Sequence, residues 1–272
     1  METGARRRRC AVSGADFDAC AELVERGDPD RFLSVMTAPP ARRGALMALY
    51  AFNIEVSRAP WVTAEPMIAE MRLQWWHDAL EEIAAGASPR AHEVVTPLAE
   101  VVAEHGLPVA ALSGLVAARR GDIYPDPPAD RAAFDAYLDA TSGNLMWLAA
   151  KVLGAAPEAE APVRDFAYGA GLAAYLRAVP ELEARGQRPL PDGREIAVAD
   201  LAGEGLARIA AARRARGRVG RAAIPALLAG WRADATLRAA RRDPNRVKSG
   251  RLTEPEAQRR LSLFLRSLTG RW

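Results

Sequence analysis

Cysteine and long hydrophobic runs are both scarce in this chain of 272 residues, and each shortage argues against a class of protein. The two cysteines, Cys10 and Cys20, show neither metal-ligand nor redox spacing, which favours a reduced, cytoplasmic setting. No apolar run approaches the roughly 20 residues that a membrane-spanning helix requires. We therefore expect a cytoplasmic protein, with peripheral attachment to the inner membrane face as the alternative.

Aromatic residues are also few, at 6% of a chain that is 50% hydrophobic, so alanine and leucine supply most of the apolar mass. This composition favours helix, because alanine loses no side-chain entropy there. No convincing strand pattern occurs, and no linker is long or polar enough to divide the chain. We predict one all-α domain over residues 13–272, and a flexible basic tail over residues 1–12 because no apolar stretch follows Arg6–Arg9. The predicted helices include Arg90–Glu104, Arg131–Leu153 and Arg221–Arg241.

The short motifs of several enzyme classes are missing as well. The sequence contains no HExxH, P-loop or GxSxG element, and no GxGxxG after a strand. His77, His92 and His105 lie in separate predicted elements without ligand spacing, so no metal site is predicted from them. The arginine run at Arg213–Arg221 has no helix–turn–helix pattern and no interleaved aromatic residues, and we therefore predict no nucleic-acid partner.

Lysine is nearly absent, so arginine carries almost all of the positive charge. From Gly186 to Trp272 the chain has 19 basic and 8 acidic residues, a net charge of +11, whereas the other 185 residues have a net charge of −8. Such a split favours an anionic partner for the C-terminal third, such as diphosphate or acidic lipid headgroups. A solvated arginine-rich face that complements the acidic N-terminal part is the alternative.

The arginines of this third cluster near Gly217–Gly220 and at the end of the next predicted helix. We expect neighbouring residues to form an apolar face beneath them: Ile209, Ile224, Leu227, Leu228 and Trp231. A basic rim beside apolar side chains suits docking on an anionic membrane surface. It also suits an acidic protein partner, where charge mainly steers the encounter.

Two predicted helices meet near Pro60, and the first of them ends in the run ALYAFNIEVSRAPW. This run resembles the first active-site helix of the squalene/phytoene synthase family, in which a DxxxD motif follows a YAF-type triplet. The preceding stretch, Asp28–Phe52, is also similar to the family's N-terminal region. At the two aspartate positions this chain has Ser57 and Trp61. Neither a hydroxyl nor an indole replaces the carboxylate oxygens that bind magnesium.

The resemblance extends over about residues 28–195. The segment GAGLAAYLRAVPELEARG resembles the family's second active-site helix, QxxNxxRDxxxD, and Arg177 matches its arginine. Gly171 and Ala174 stand at the amide positions, while Ala178 and Leu182 replace the two aspartates. The middle section is matched by Arg119-Arg120-Gly121-Asp122 and by Tyr137 six residues before Gly143. The resemblance implies an isoprenoid-synthase helical bundle around a central cavity, with the two motif helices facing each other.

Within the family, the RLQWW run after YAFNIE most resembles a degenerate branch that includes the respiratory complex I assembly factor. The resemblance implies a non-catalytic protein without a cofactor, whose partners are complex I subunits or assembly intermediates and whose cavity retains an isoprenoid-sized ligand site. One alternative is a head-to-head prenyltransferase that condenses two prenyl diphosphates and requires Mg²⁺. Another is an isoprenoid or lipid carrier without turnover.

Six residues near the expected cavity are candidate ligand-binding residues: Tyr50, Asn53, Glu55, Arg58, Tyr137 and Arg177. Glu55 and Arg58 either form an internal ion pair at the level of the lost metal site or offer a polar patch to a new ligand. A literal DxxxD pair does occur, at Asp135 and Asp139, but on the tyrosine-bearing helix. We expect that pair to be a solvated acidic face.

Overall fold

The computed structural model describes residues 14–272, and the predicted tail at residues 1–12 and Cys10 lie outside this range. Within it the regular structure is helical and contains no strand, which confirms the predicted all-α fold class. No helix of the described range is long and apolar enough to cross a membrane. The α-helices are α1 (Gly14–Gly27), α2 (Pro29–Met36), α3 (Pro40–Arg58), α4 (Pro66–Ala84), α5 (Val95–His105), α6 (Val109–Arg119), α7 (Arg131–Leu138), α8 (Asn144–Val152), α9 (Glu160–Ala184), α10 (Glu195–Arg214), α11 (Ile224–Leu228), α12 (Ala233–Arg242), α13 (Asn245–Lys248) and α14 (Glu256–Thr269).

The helices α3 and α9 form the centre of the bundle. The stretch Ala45–Ile54 of α3 is buried on every side, as expected for a helix whose surface is apolar all round. The 25-residue helix α9 packs against α8, α10 and α12. Both central helices contact α8, and they share the lining of two cavities. The predicted arrangement, with the two motif helices facing each other, is therefore confirmed.

Two of the predicted helices are interrupted, each at a segment that contacts α9. The predicted helix Arg131–Leu153 contains a π-helical turn at Asp139–Gly143, where the Thr141 hydroxyl donates to the Tyr137 carbonyl at 2.7 Å. The predicted helix Arg221–Arg241 breaks between α11 and α12 at Gly230. A Cβ atom at Gly230 would lie 2.6 Å from the Ala170 Cβ, so only glycine permits this approach.

A third predicted helix, Arg90–Glu104, begins five residues late, at Val95. Arg90 lies in the segment before this helix, and its guanidinium pairs with Glu82 of α4 at 2.8 Å. Arg90 also donates to the Trp75 carbonyl at 3.3 Å. These tertiary bonds hold the segment before Val95 against α4 in a non-helical conformation.

Close packing of α9 on α10 depends on glycine, and a substitution there tests it. A Cβ at Gly169 would lie 2.5 Å from Ile209 Cγ1 and 2.9 Å from the Gly205 carbonyl oxygen. We expect Gly169→Ala to lower the free energy of unfolding by about 1–3 kcal/mol, because the added methyl group overpacks the interface. The matched control is Gly217→Ala, where an added Cβ meets nothing within 4 Å. Chemical denaturation monitored by circular dichroism measures both, and equal stability of the two variants would contradict the prediction.

Candidate functional site

The larger of the two shared cavities is an open cleft of about 770 Å³, within the usual range for small-molecule sites. Ser57 and Trp61 line it from the C-terminal end of α3 and the turn after it, and Ala178 and Leu182 line it from α9. The four positions that replace the family's aspartates therefore face one space. The sequence resemblance placed them correctly, and the side chains there offer no carboxylate to a metal ion.

Paired charges and an aromatic stack occupy the cleft entrance. The Arg185 guanidinium lies over the Trp61 ring at 5.1 Å and pairs with Glu181 at 2.7 Å. Arg188 pairs with Asp126 at 3.6 Å across the entrance. The carboxylates in this region are therefore already bound to arginines. A magnesium–diphosphate cluster does not fit this set of side chains.

A half-buried hydrogen-bond network lines part of the cleft. Arg119 donates from Nη1 to Asp122 Oδ2 at 3.0 Å and to the Tyr137 hydroxyl at 2.7 Å. The Tyr137 hydroxyl in turn donates to the same Asp122 oxygen at 3.2 Å. Burial raises the pKa of Tyr137, and Asp122 raises it further, so the phenol stays protonated and neutral. Tyr175 packs edge-on against Tyr137 and donates to the Pro189 carbonyl at 2.8 Å.

The second shared space is an inner cavity of about 100 Å³, large enough for a few water molecules or one small anion. Tyr50 on α3 and Arg177 on α9 line it, together with Asp28, Asp30 and Arg232. Tyr50 is fully buried, and burial raises its pKa to about 12. Two of the six predicted site residues therefore meet here.

A cluster of ion pairs forms one wall of the inner cavity. Asp30 accepts a hydrogen bond from Arg232 at 2.7 Å and another from Arg259 of α14. Burial acts to raise the pKa of Asp30, but these two arginine hydrogen bonds outweigh it and hold the pKa below the usual range. Arg232 also lies 3.6 Å from Glu254, and Arg31 pairs with Asp28 at 2.5 Å. The cluster joins α2 to segments more than 200 residues away.

Arg177 differs from its neighbours because no carboxylate oxygen of the described residues lies within 4.0 Å of its guanidinium. Its polar contact is with the Thr236 hydroxyl, at 3.5 Å. Burial lowers the pKa of Arg177 to about 10, and repulsion from Arg232 adds to the effect. The guanidinium remains charged at pH 7. The inner cavity is lined by three arginines and two aspartates, an excess of one positive charge that suits an anionic group.

The other predicted site residues are dispersed. Tyr137 and Arg58 both line the cleft. Glu55 lies in a separate shallow pocket beside Trp75 and Trp76, and Arg58 is exposed at its edge. No ion pair within 4.0 Å joins Glu55 to Arg58, so the suggestion of an internal pair was wrong.

Asn53 is buried on α3, one turn after Tyr50. The pair Asp135 and Asp139 is not a free acidic face, because each carboxylate pairs with an arginine: Asp135 with Arg131 at 2.8 Å and Asp139 with Arg164 at 3.0 Å. Asp135 also accepts from the Tyr168 hydroxyl at 2.7 Å. Asp135 lies within α7, and the π-helical turn begins at Asp139. Neither aspartate is positioned as a metal ligand of the cleft.

The apolar face predicted beneath the C-terminal arginines is part of the core. Ile209, Leu227, Leu228 and Trp231 are all buried, and Ile224 is half-buried. Ile209 lies on α10, which packs against α9 and α12, whereas Leu227 and Leu228 lie on α11, which packs against α2, α8 and α9. The residues are apolar because they fill the bundle, and a membrane contact in this third requires another surface.

Several residues of the inner cavity escaped sequence reasoning. Asp28 is the N-cap residue of α2 and accepts a hydrogen bond from the Arg31 amide at 2.9 Å. Because capping alone accounts for an aspartate at this position, nothing in the sequence indicated that Asp28 lines a cavity. Nothing local marks Asp30, Arg232 or Arg259 as neighbours, since they are far apart in the chain. The contact between Arg185 and Trp61 could have been predicted, because an aromatic residue at an aspartate position of the motif can stack with a nearby arginine.

Opposite effects of two arginine substitutions would test this description of the inner cavity. We expect Arg177→Met to raise the free energy of unfolding by about 1–3 kcal/mol, because it removes a charged group whose pKa burial lowers to about 10. Arg232→Met should lower it by about 1.5–3 kcal/mol, because it removes one of the two arginine hydrogen bonds to the half-buried Asp30 carboxylate. Urea denaturation at pH 7 measures both. Destabilisation by Arg177→Met would mean that a counter-charge compensates this arginine.

The fold resembles solved prenyl-transferring enzymes. Squalene synthase HpnC from Alicyclobacillus acidocaldarius superposes with a TM-score of 0.74 at 18% identity, covering 85% of this chain and 95% of that one. A dehydrosqualene synthase superposes with a TM-score of 0.66 at 15% identity, covering 95% and 98% of the two chains. At these identities the likeness concerns the fold alone.

The curated relatives found by sequence are named as an assembly factor and not as a synthase. The complex I assembly factor 6 homolog of Drosophila melanogaster is 32% identical over 62% of this chain and 52% of its own length. Complex I assembly factor 6 of Mus musculus is 27% identical over 68% of this chain and 57% of its own. The chain thus spans about half the length of the curated relatives it matches. The family model of squalene/phytoene synthase matches residues 24–194, and with its two motif helices lining one cleft, the chain belongs to the squalene/phytoene synthase family.

Proposed function

We propose that this protein is a non-catalytic member of the squalene/phytoene synthase family that supports the assembly of respiratory complex I. The observation that carries the proposal is the cleft between α3 and α9, where Ser57, Trp61, Ala178 and Leu182 occupy the aspartate positions. The relatives named complex I assembly factor 6 support the functional half of the proposal. The partners would be complex I subunits or assembly intermediates.

The chemistry of prenyl transfer explains why we favour a non-catalytic role. Ionisation of a prenyl diphosphate releases a multiply charged anion, which metal ions must neutralise as the carbon–oxygen bond breaks. In the cleft, Glu181 and Asp126 neutralise arginines and Asp122 fixes Arg119 and Tyr137. Among the described residues, His77, Asp78 and Glu81 form a group close enough to share a metal ion, but they lie on α4 and do not line the cleft.

An isoprenoid-sized ligand remains part of the proposal, and the cleft is where it would bind. Its volume of about 770 Å³ accepts such a ligand, whereas the inner cavity of about 100 Å³ does not. Tyr137 and Arg58 would contact a ligand in the cleft. Tyr50 and Arg177 would contact only a small anionic group in the inner cavity. Asn53 and Glu55 stay predictions with weaker support, because they line neither space.

The site of action belongs to the proposal as well. We place the protein in the cytoplasm, peripherally attached to the inner membrane face, as one globular domain over residues 13–272. The excess of arginine in the C-terminal third supports attraction to an anionic membrane surface.

The catalytic alternative is tested directly. We expect purified protein with farnesyl diphosphate and Mg²⁺ to release diphosphate far more slowly than the usual enzymatic rates of about 1–10³ per second, because no carboxylate cluster faces the cleft. A colorimetric diphosphate assay measures this. Turnover at an ordinary rate that a chelator abolishes would establish the prenyltransferase instead, with Asp122, Asp135 and Asp139 as the first residues to substitute.

The matched variant for that assay restores all four carboxylates: Ser57→Asp, Trp61→Asp, Ala178→Asp and Leu182→Asp. Because the four positions line one cleft, we expect the variant to bind Mg²⁺ together with inorganic diphosphate in calorimetric titration, and the unmodified protein to show no such metal-dependent binding. Equal titrations would mean that the cleft is not the equivalent of the family's metal site.

The assembly role is tested in cells. We expect deletion of the gene in its own organism to lower NADH-dependent quinone reduction in isolated membranes several-fold, with smaller assembly intermediates visible on native gels. Succinate-dependent quinone reduction is the control and should stay unchanged, since it does not require complex I. Normal complex I in the deletion strain would overturn the proposed function.

A further inference from the structure

The C-terminal helix α14 has its polar and apolar faces reversed relative to an ordinary surface helix. Its large apolar residues fall at the i, i+3, i+4 and i+7 positions of one face: Leu261, Phe264, Leu265 and Leu268. Each keeps between 52% and 68% of its surface exposed. We call these four residues the apolar stripe. Leu263 is the buried residue of this helix.

The opposite face of α14 carries arginines that point into the protein. Arg259 donates to the buried carboxylate of Asp30. Burial lowers the pKa of Arg266, and the neighbouring Arg213 lowers it further. Below the helix, Arg213 donates to the Trp272 carbonyl at 2.6 Å. The exposed position of the stripe is therefore fixed by specific polar contacts on the other side of the helix.

Unpaired positive charge borders the apolar stripe. A groove of about 560 Å³ runs beside it, lined by Leu265 of the stripe and by Arg216 and Arg271. Arg216 and Arg271 are exposed, and no carboxylate of the described residues lies within 4.0 Å of either. A second groove shares Arg213 and Asp234 with the first and contains Arg238, which lies 3.9 Å from Asp234. Arg241 and Arg242 also line this second groove, and no carboxylate of the described residues lies within 4.0 Å of either. Apolar side chains thus adjoin cations that are free to bind an external anion.

We propose that α14 is a membrane-docking element, whose apolar stripe enters the headgroup region of an anionic phospholipid bilayer while Arg216 and Arg271 contact lipid phosphates. This inference deepens the peripheral location given above by naming the element that contacts lipid. The helix of 14 residues is about 21 Å long, too short to span a bilayer, and so it lies in the plane of the interface. Interfacial helices bind through this combination of buried apolar area and attraction to anionic lipid.

Lipid fits this surface better than a protein does. A stable dimer or complex buries about 800 Å² on each partner and centres on pockets that receive anchoring side chains. The stripe is a row of four side chains that are already partly covered, and such a row supplies only part of that area. A bilayer needs no complementary shape, and its phosphates match the unpaired arginines on the rim.

The test is sedimentation of the full chain with phosphatidylcholine vesicles that do or do not contain phosphatidylglycerol. We expect binding to the acidic vesicles at low salt and about 100-fold weaker partition for the variant Leu261→Ser/Phe264→Ser/Leu268→Ser, because three large apolar side chains no longer leave water. The matched control is Met67→Ser/Met71→Ser/Ile196→Ser, which removes three equally exposed apolar residues elsewhere and should bind normally.

A second pair of variants separates the contribution of charge. Arg216→Gln/Arg271→Gln should bind acidic vesicles about 10-fold more weakly. Arg26→Gln/Arg72→Gln, which removes two exposed and unpaired arginines on α1 and α4, should bind as the unmodified protein does. The Phe264→Trp variant keeps the stripe apolar, and its tryptophan emission should shift further to the blue on acidic vesicles than that of the unmodified protein, which already has six tryptophans.

Three results would overturn the proposal. They are equal binding of the stripe variant and the unmodified protein, absence of binding to acidic vesicles, and a dimer in light scattering that the stripe substitutions dissociate. The last result would make a second copy of the chain the occupant of the stripe. The vesicle assay uses only purified protein and lipid, so its failure leaves the deletion phenotype of complex I intact, and the two proposals fail separately.

Discussion

The ion pairs made by Asp30 hold together the parts of this protein that lie farthest apart in the chain. Its carboxylate binds Arg232, in the turn before α12, and Arg259, in α14, so that one side chain of α2 fixes two C-terminal segments. These bonds form a wall of the inner cavity and set the orientation of α14. Because a buried carboxylate without partners is costly, the cluster is either complete or strongly destabilising. The inner cavity and the exposed apolar stripe both depend on it.

The cleft shows that the two motif helices converge on one space although four of its lining positions carry no carboxylate. The helices α3 and α9 still direct four side chains into one space, but the groups there are a hydroxyl, an indole and two aliphatic side chains. The guanidinium of Arg185 lies on the indole of Trp61, where a metal cluster would need carboxylates. The fold therefore gives no information about activity by itself, and the side chains of the site decide it.

Gly171, at one of the amide positions of the second motif, allows the π-helical turn to approach α9 closely. A Cβ at Gly171 would lie 2.3 Å from the Ser142 hydroxyl oxygen, so the π-helical turn occupies the space that an amide side chain would need on α9. The inner cavity is small for this reason, and Arg177 is the remaining polar group of the motif that reaches it. An enlarged ligand site at this position would require the π-helical turn to move.

The sequence by itself determined the helical fold class, because composition and periodicity indicate which segments form helices. The resemblance to the squalene/phytoene synthase family implied that the two motif helices face each other and that Ser57, Trp61, Ala178 and Leu182 stand at its aspartate positions. It also identified Tyr137 and Arg177 as residues that face internal spaces. Tertiary structure alone decided which apolar residues are exposed. Leu227 and Leu261 are both leucines among arginines, yet one fills the core and the other faces solvent. Arg259, on the opposite side of α14 from Leu261, pairs with Asp30, 229 residues away, so that side of the helix faces the protein and Leu261 faces solvent.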